Sequence, residues 1–133
     1  ICLPLWHVHG LVCLLRCLRE GTPVKLARFH PRLAIDPTIT WISLVPTMLR
    51  LLLSEEGETA LGRLRYVRLA SAPMGAAEQT KLQRRLGVPI YQHYGMTEAA
   101  HFVMGQGPGQ PNTSGSVGLV QDQLTIRLTA EGE

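Results

Sequence analysis

Thr97 and Glu98 stand side by side in Tyr94-Gly95-Met96-Thr97-Glu98-Ala99, directly after a short apolar run, Val88-Pro89-Ile90-Tyr91. A hydroxyl next to a carboxylate, on a loop leaving a buried strand, has the chemistry to hold a nucleotide's phosphates and their magnesium. The hydroxyl bonds a phosphate oxygen, and magnesium takes one or two carboxylates together with phosphates. The same pair also suits an ordinary helix start, with Thr97 as the cap and Glu98 at the positive end of the dipole. Six residues alone leave both readings open. Ala70-Ser71-Ala72-Pro73 closes the preceding apolar stretch in a similar way. Small side chains let a flat ring approach the main chain, and a helix N-terminus behind them tolerates negative charge. A plain strand-to-helix turn would use Ser71 as a cap and Pro73 in the first helical turn.

Other candidates carry less. His7 and His9 lie two apart in Pro4-Leu5-Trp6-His7-Val8-His9-Gly10, with no third metal ligand nearby, so packing or capping is the expected role. His30, His93 and His101, taken singly, read as surface or packing histidines. The alternate glycines of residues 105–109 lack the lysine of a phosphate loop and do not join a strand to a helix, so they read as a flexible turn.

These residues need elements to position them. Residues 10–19 carry leucines and cysteines at helical spacing, stopped by Glu20-Gly21-Thr22-Pro23. Residues 24–29 alternate like a short strand, and Pro31 and Pro37 exclude a long helix after them. Residues 39–45, 64–69 and 88–91 read as buried strands. Between them, Pro46 opens one helix, and residues 75–86 form a second with Ala76, Ala77, Leu82 and Leu86 facing inward. Alternating strand and helix predicts an α/β fold, a parallel sheet with flanking helices and right-handed crossovers. Ligands in such sheets bind outside the carboxyl ends of the strands. Val45-Pro46, Ala70 to Pro73 and His93 to Glu98 all fall there, on one edge. Beyond residue 100, residues 105–118 read as a glycine- and proline-rich loop and residues 124–128 as an edge strand.

Composition sets the frame. A chain of 133 residues, 45% hydrophobic and 17% charged, is long enough for one core and too apolar for disorder. Its net charge of +3 comes from scattered lysines and arginines, and with few aromatic residues it offers no focused face for nucleic acid. Cys2, Cys13 and Cys17 are odd in number and lack zinc spacing; they read as small buried side chains of a reducing, cytoplasmic compartment. The apolar stretch of residues 11–18 is broken by Arg16 and falls far short of the roughly 20 residues of a membrane helix. Ile1-Cys2-Leu3-Pro4 and Ala130-Glu131-Gly132-Glu133 both look cut from a longer protein.

Taken in order, five segments resemble the adenylate-forming superfamily of acyl-CoA synthetases, peptide-synthetase adenylation domains and beetle luciferase. They are Pro4 to Gly10, Val45-Pro46-Thr47-Met48-Leu49, Ala70 to Pro73, Tyr94 to Glu98, and Gly115-Ser116-Val117-Gly118. The resemblance implies that Tyr94 stacks on adenine, with Ser71, Ala72 and Pro73 forming the turn on the ring's other side. Thr97 would bond the α-phosphate, Glu98 would hold magnesium, Gly95 would line the acyl pocket, and His7 would gate the carboxylate. In the family's chemistry a carboxylate attacks the α-phosphorus of ATP, giving an acyl-adenylate and pyrophosphate, and a thiol such as that of coenzyme A takes the acyl group.

Against the family pattern, the glycine- and serine-rich phosphate loop would lie upstream, and the ribose-binding aspartate, hinge and catalytic lysine downstream. Residues 29–40 and the segment after Gly118 look shortened. The expectation is therefore a partial AMP-binding domain over residues 1–133, from the large N-terminal domain of such an enzyme, inactive as this piece alone. Its expected partners are ATP, Mg2+, coenzyme A and a small-molecule carboxylic acid; a non-catalytic nucleotide-binding module or degenerate remnant is the alternative. His7-Val8-His9-Gly10 and Thr97-Glu98-Ala99-Ala100-His101 resemble ligases for small or fatty acids, an oxalate or malonate type among them, more than peptide-synthetase domains.

Overall fold

The computed structural model describes residues 1–54, 63–99, 102–122 and 124–130. His101 and the chain's last three residues lie outside them. The first helix, α1 (Val8–Arg19), is followed by a 3-10 turn at Pro31–Ile35, and then by β1 (Trp41–Leu44) and α2 (Pro46–Ser54). Next come β2 (Tyr66–Leu69), α3 (Ala76–Leu86) and β3 (Ile90–Tyr94), and after a second 3-10 turn at Thr97–Ala99 come β4 (Met104–Gly105) and β5 (Leu119–Val120).

The five strands form one sheet in chain order. β1, β2 and β3 run parallel, with Leu44 opposite Leu69 and Leu69 opposite Gln92. β4 turns back against β3, pairing His93 with Gly105 and Tyr94 with Met104, and β5 is antiparallel to β4. The sheet therefore changes from parallel to antiparallel at β3.

Strand alternation sorts residues onto two faces. Ile42, Leu44, Val67, Leu69 and Ile90 share one face and form the core with Leu49, Leu52 and Leu53 of α2, Met74, and Leu82 and Leu86 of α3. Each such side chain contributes roughly 1.5–3 kcal/mol by leaving water. The other face carries Trp41, Ser43, Tyr66, Arg68, Tyr91 and His93. Trp41 stacks on Tyr66 at 5.9 Å, and Tyr66 meets Tyr91 edge-on at 5.7 Å. On this side α1 reaches Ser43 through His9 and buries Cys13 and Cys17.

Several expectations are corrected. Residues 24–29 form no strand: Ala27 N–H bonds the Ile1 carbonyl and the Ile1 amine donates to the Lys25 carbonyl, but no ladder extends from these contacts. Alternation in sequence makes a strand only where a neighbour supplies the ladder. For the same reason residues 124–128 are irregular, with Leu124, Ile126 and Leu128 exposed. The third strand lies two to three residues later than expected, and short strands flank the glycine-rich loop. On α3 it is Gln79 that points inward, fully buried, while Ala76 and Ala77 are exposed. The three cysteines are free and buried, and burial pushes their thiol pKa values up. Among the described residues no helix is long and apolar enough to cross a membrane.

Candidate functional site

Because β2 and β3 run parallel with Leu69 opposite Gln92, Ser71 and Tyr94 each lie two residues beyond the same register pair. The two turns singled out in the sequence thus leave the sheet side by side at its carboxyl edge. Val45-Pro46, which follows β1, shares that edge.

The first wall is the turn after β2. Ser71, Ala72 and Pro73 are exposed, and Ser71 adopts a left-handed backbone with φ of 73°. Such a conformation is costly outside glycine and calls for compensation. His9 supplies it: its Nδ1 lies 3.1 Å from the Ser71 Oγ, and its Nε2 lies 2.8 Å from the Ser43 Oγ of β1. His9 is 1% exposed and bridges β1 to the turn that follows β2. Ser71 does not cap α3, whose N-cap is Gly75 with no side-chain bond.

Downstream, the same turn is pinned from β3. Gln92 accepts from Met74 N–H at 2.9 Å and donates to the Met74 carbonyl at 3.0 Å and to the Gln79 Oε1 at 2.8 Å. Gln79 in turn donates to the Ile90 carbonyl at 2.7 Å and accepts from Gly115 N–H at 2.8 Å. Two buried glutamines therefore fix the turn, β3 and the glycine-rich loop to one another.

The second wall is the loop from β3 to β4. Val103 N–H bonds the Tyr94 carbonyl at 3.0 Å and closes it. Tyr94 is half exposed at the loop's start, Gly95 follows, and Thr97 and Glu98 open an exposed 3-10 turn. A helix start is present here as that single turn, but Thr97 does not cap it: both side chains are free of bonds to other described residues. A carboxylate beside a hydroxyl, unengaged and facing water, is a donor set that fits magnesium bound jointly with phosphates. Among the described residues no three His, Cys, Asp or Glu side chains gather to hold a metal by themselves.

Glycines keep the second wall close to the sheet. A Cβ on Gly105 would lie 2.6 Å from the His93 ring, and one on Gly118 would lie 2.1 Å from the Gly105 carbonyl oxygen. Gly118 also has φ of 89°, so the Gly115 to Gly118 segment admits no side chain at that point.

His7 precedes α1, exposed, and its Nδ1 accepts from His9 N–H at 3.4 Å. That is the capping role read from its position, and the buried contacts belong to its neighbour His9. Sequence reasoning missed Arg68. It sits on β2, 8% exposed, its guanidinium 5.1 Å from the Trp41 ring centroid and 5.7 Å from that of Phe102. Its Nε has no hydrogen-bond partner among the described residues, and burial lowers its pKa. The signal was available: a charged residue inside the apolar run Leu64 to Leu69.

Comparison with known proteins agrees with this fold. The AMP-binding enzyme family matches residues 1–133. An oxalate–CoA ligase of Saccharomyces cerevisiae is 32% identical over 96% of this chain and 25% of its own length. One from Arabidopsis thaliana is 33% identical over 100% of this chain and 28% of its own. The structure of O-succinylbenzoate coenzyme A synthetase from Bacillus subtilis, in complex with ATP and magnesium, superposes with a TM-score of 0.77 at 30% identity. It covers 100% of this chain and 29% of that one. The chain thus spans between a quarter and a third of the length of each of these three relatives.

Proposed function

The chain belongs to the AMP-binding enzyme family, and from that premise we propose that it forms the nucleotide-binding edge of an ATP-dependent acid–CoA ligase. In this reading a carboxylic acid attacks the α-phosphorus of ATP, releasing pyrophosphate, and the acyl-adenylate passes its acyl group to the thiol of coenzyme A. The observation that carries the reading is the common register of Ser71 and Tyr94, which sets two open turns on one strand edge.

Each wall has its part. Ser71, Ala72 and Pro73 offer a flat, small-residue surface to adenine, and the half-exposed Tyr94 ring stacks from the other side. Thr97 donates its hydroxyl to the α-phosphate. Glu98 would hold magnesium, which supplies positive charge against the phosphates. Gly95 would leave room for the acyl group, and His7, exposed ahead of α1, would gate the carboxylate. The chain's own contribution is positioning and charge stabilisation. The acids in the relatives' names, oxalate and O-succinylbenzoate, each carry two carboxylates.

The test is ATP–pyrophosphate exchange with a panel of carboxylic acids, using the longest natural product that contains residues 1–133. Exchange that depends on an acid and falls about 100-fold or more in Glu98→Ala, with magnesium dependence shifted to higher concentration, is the expected result. Nucleotide binding without exchange would instead identify a non-catalytic nucleotide module. Magnesium-dependent binding untouched by Glu98→Ala would return Glu98 to a helix-start role.

A further inference from the structure

Arg68 is a buried cation without a paired anion among the described residues. At 8% exposure its guanidinium is enclosed by Trp41 and Phe102, and no described carboxylate pairs with it. Burial is the main influence on its charge, and Tyr66, Cys13, Arg16 and Cys17 lie near enough to act on it. Isolated buried charge is expensive, and proteins retain it where a counter-charge arrives. Two aromatic faces stabilise the cation but accept no in-plane hydrogen bond, and the buried Nε has no acceptor among the described residues.

The position of this cation gives it a use. Arg68 lies three residues before Ser71 on β2, on the face that also bears Ser43 and His93. Phe102, which covers it, follows Glu98 in the closed loop and also contacts His93 edge-on at 5.1 Å. The guanidinium therefore sits behind the proposed reaction edge, among apolar rings, one strand-width from β3. A planar fork of donors in such surroundings is suited to a planar carboxylate or to a sulfonate.

We propose that Arg68 binds a second, non-reacting acidic group of the substrate, so that the enzyme selects short acids with two anionic groups over monocarboxylates of the same length. This rests on the acid-activation reading above. Trp41 and Phe102 would exclude water from the pair and fix the guanidinium plane. A monocarboxylate would leave the buried cation unpaired, and discrimination follows from that penalty more than from contact area.

Pyrophosphate exchange and melting temperature, measured for the wild type, Arg68→Met and Arg68→Lys in the same natural product, test the assignment. The acids are matched pairs: malonate with propionate, and succinate with butyrate. In the wild type, kcat/KM favours the diacid of at least one pair, and that diacid raises the melting temperature more than its partner. In Arg68→Met the diacid-to-monoacid ratio falls about 10- to 100-fold, the loss expected of a charge-assisted hydrogen bond. Arg68→Lys, which keeps the charge without the fork, recovers part of it.

A fall of equal factor for both acids would make Arg68 purely structural and overturn the assignment, as would a wild type without diacid preference. Should Arg68→Met fail to fold, the wild-type preference and the Arg68→Lys ratio still decide. Exchange with no acid at all would overturn the ligase reading itself, a result distinct from exchange with monocarboxylates alone.

Discussion

Replacing Gln92 by leucine should loosen the first wall of the site at a calculable cost. Gln92 is 2% exposed and makes three hydrogen bonds, two of them to the backbone of Met74. Leucine has similar bulk and removes all three. Gln79 keeps its bond from Gly115 N–H, so its oxygen is not stranded. The Met74 N–H and carbonyl do lose their partner, and each buried unsatisfied group costs about 1–3 kcal/mol. The extra apolar surface offsets roughly 1–2 kcal/mol of that. The net loss is about 1–4 kcal/mol, a sizeable part of the 5–15 kcal/mol that holds a domain together. In urea, with a slope near about 1.5 kcal/mol/M, the unfolding midpoint should drop by roughly 1–3 M at unchanged slope. Lys81→Ala, exposed on α3, should change the stability by less than about 0.5 kcal/mol. A Gln92→Leu loss below about 1 kcal/mol at unchanged slope would refute the claim that this side chain fixes the turn.

Two further outcomes follow from other groups. Ser71→Ala keeps the left-handed backbone and loses the bond to His9, whereas Ser71→Gly loses the bond but relieves the strain, so the alanine variant should be the less stable by about 1 kcal/mol; thermal melting of the pair checks this, and equal stability would contradict it. Burial raises the thiol pKa values of Cys2, Cys13 and Cys17 above their ordinary 9.0, which favours the folded state below that pH and weakens it above. Unfolding midpoints should therefore be flat between pH 7 and about 8.5 and fall as pH rises past 9, and a thiol reagent at pH 8 should label the chain only after denaturant is added.

Much of the architecture was legible because long patterns have one physical solution. The leucines of α2 behind Pro46 and the β-branched and aromatic stretch of residues 39–45 can be buried only as a helix and a strand, and short links between them require a parallel sheet. The common edge of Ser71 and Tyr94 then follows from topology. What escaped were features whose cause lies in partners distant in sequence. Two-residue strands such as β4 and β5 show no period, and residues 24–29 alternate without a neighbour to pair with. Gln79 and Gln92 look like surface residues until their backbone partners are seen. The same blindness affected Arg68, because charge in a strand is ordinarily assigned to solvent. His9, expected to pack or to cap, is buried, and its place in the sequence hides its link from Ser43 to Ser71.

The change of strand direction at β3 divides the site by local stability. One wall belongs to a ladder of four- and five-residue strands whose core side chains are almost wholly enclosed. The other hangs from two pairs to β4, itself tied by only two to β5. Amide hydrogens on β2 should exchange at rates near those of global unfolding, while those of Met104 and Val120 escape through small, frequent openings. Tyr94, Thr97 and Glu98 can therefore open and reclose without melting the surface formed by Ser71 to Pro73. The fold thus supplies a fixed jaw and a breathing one from a single continuous sheet.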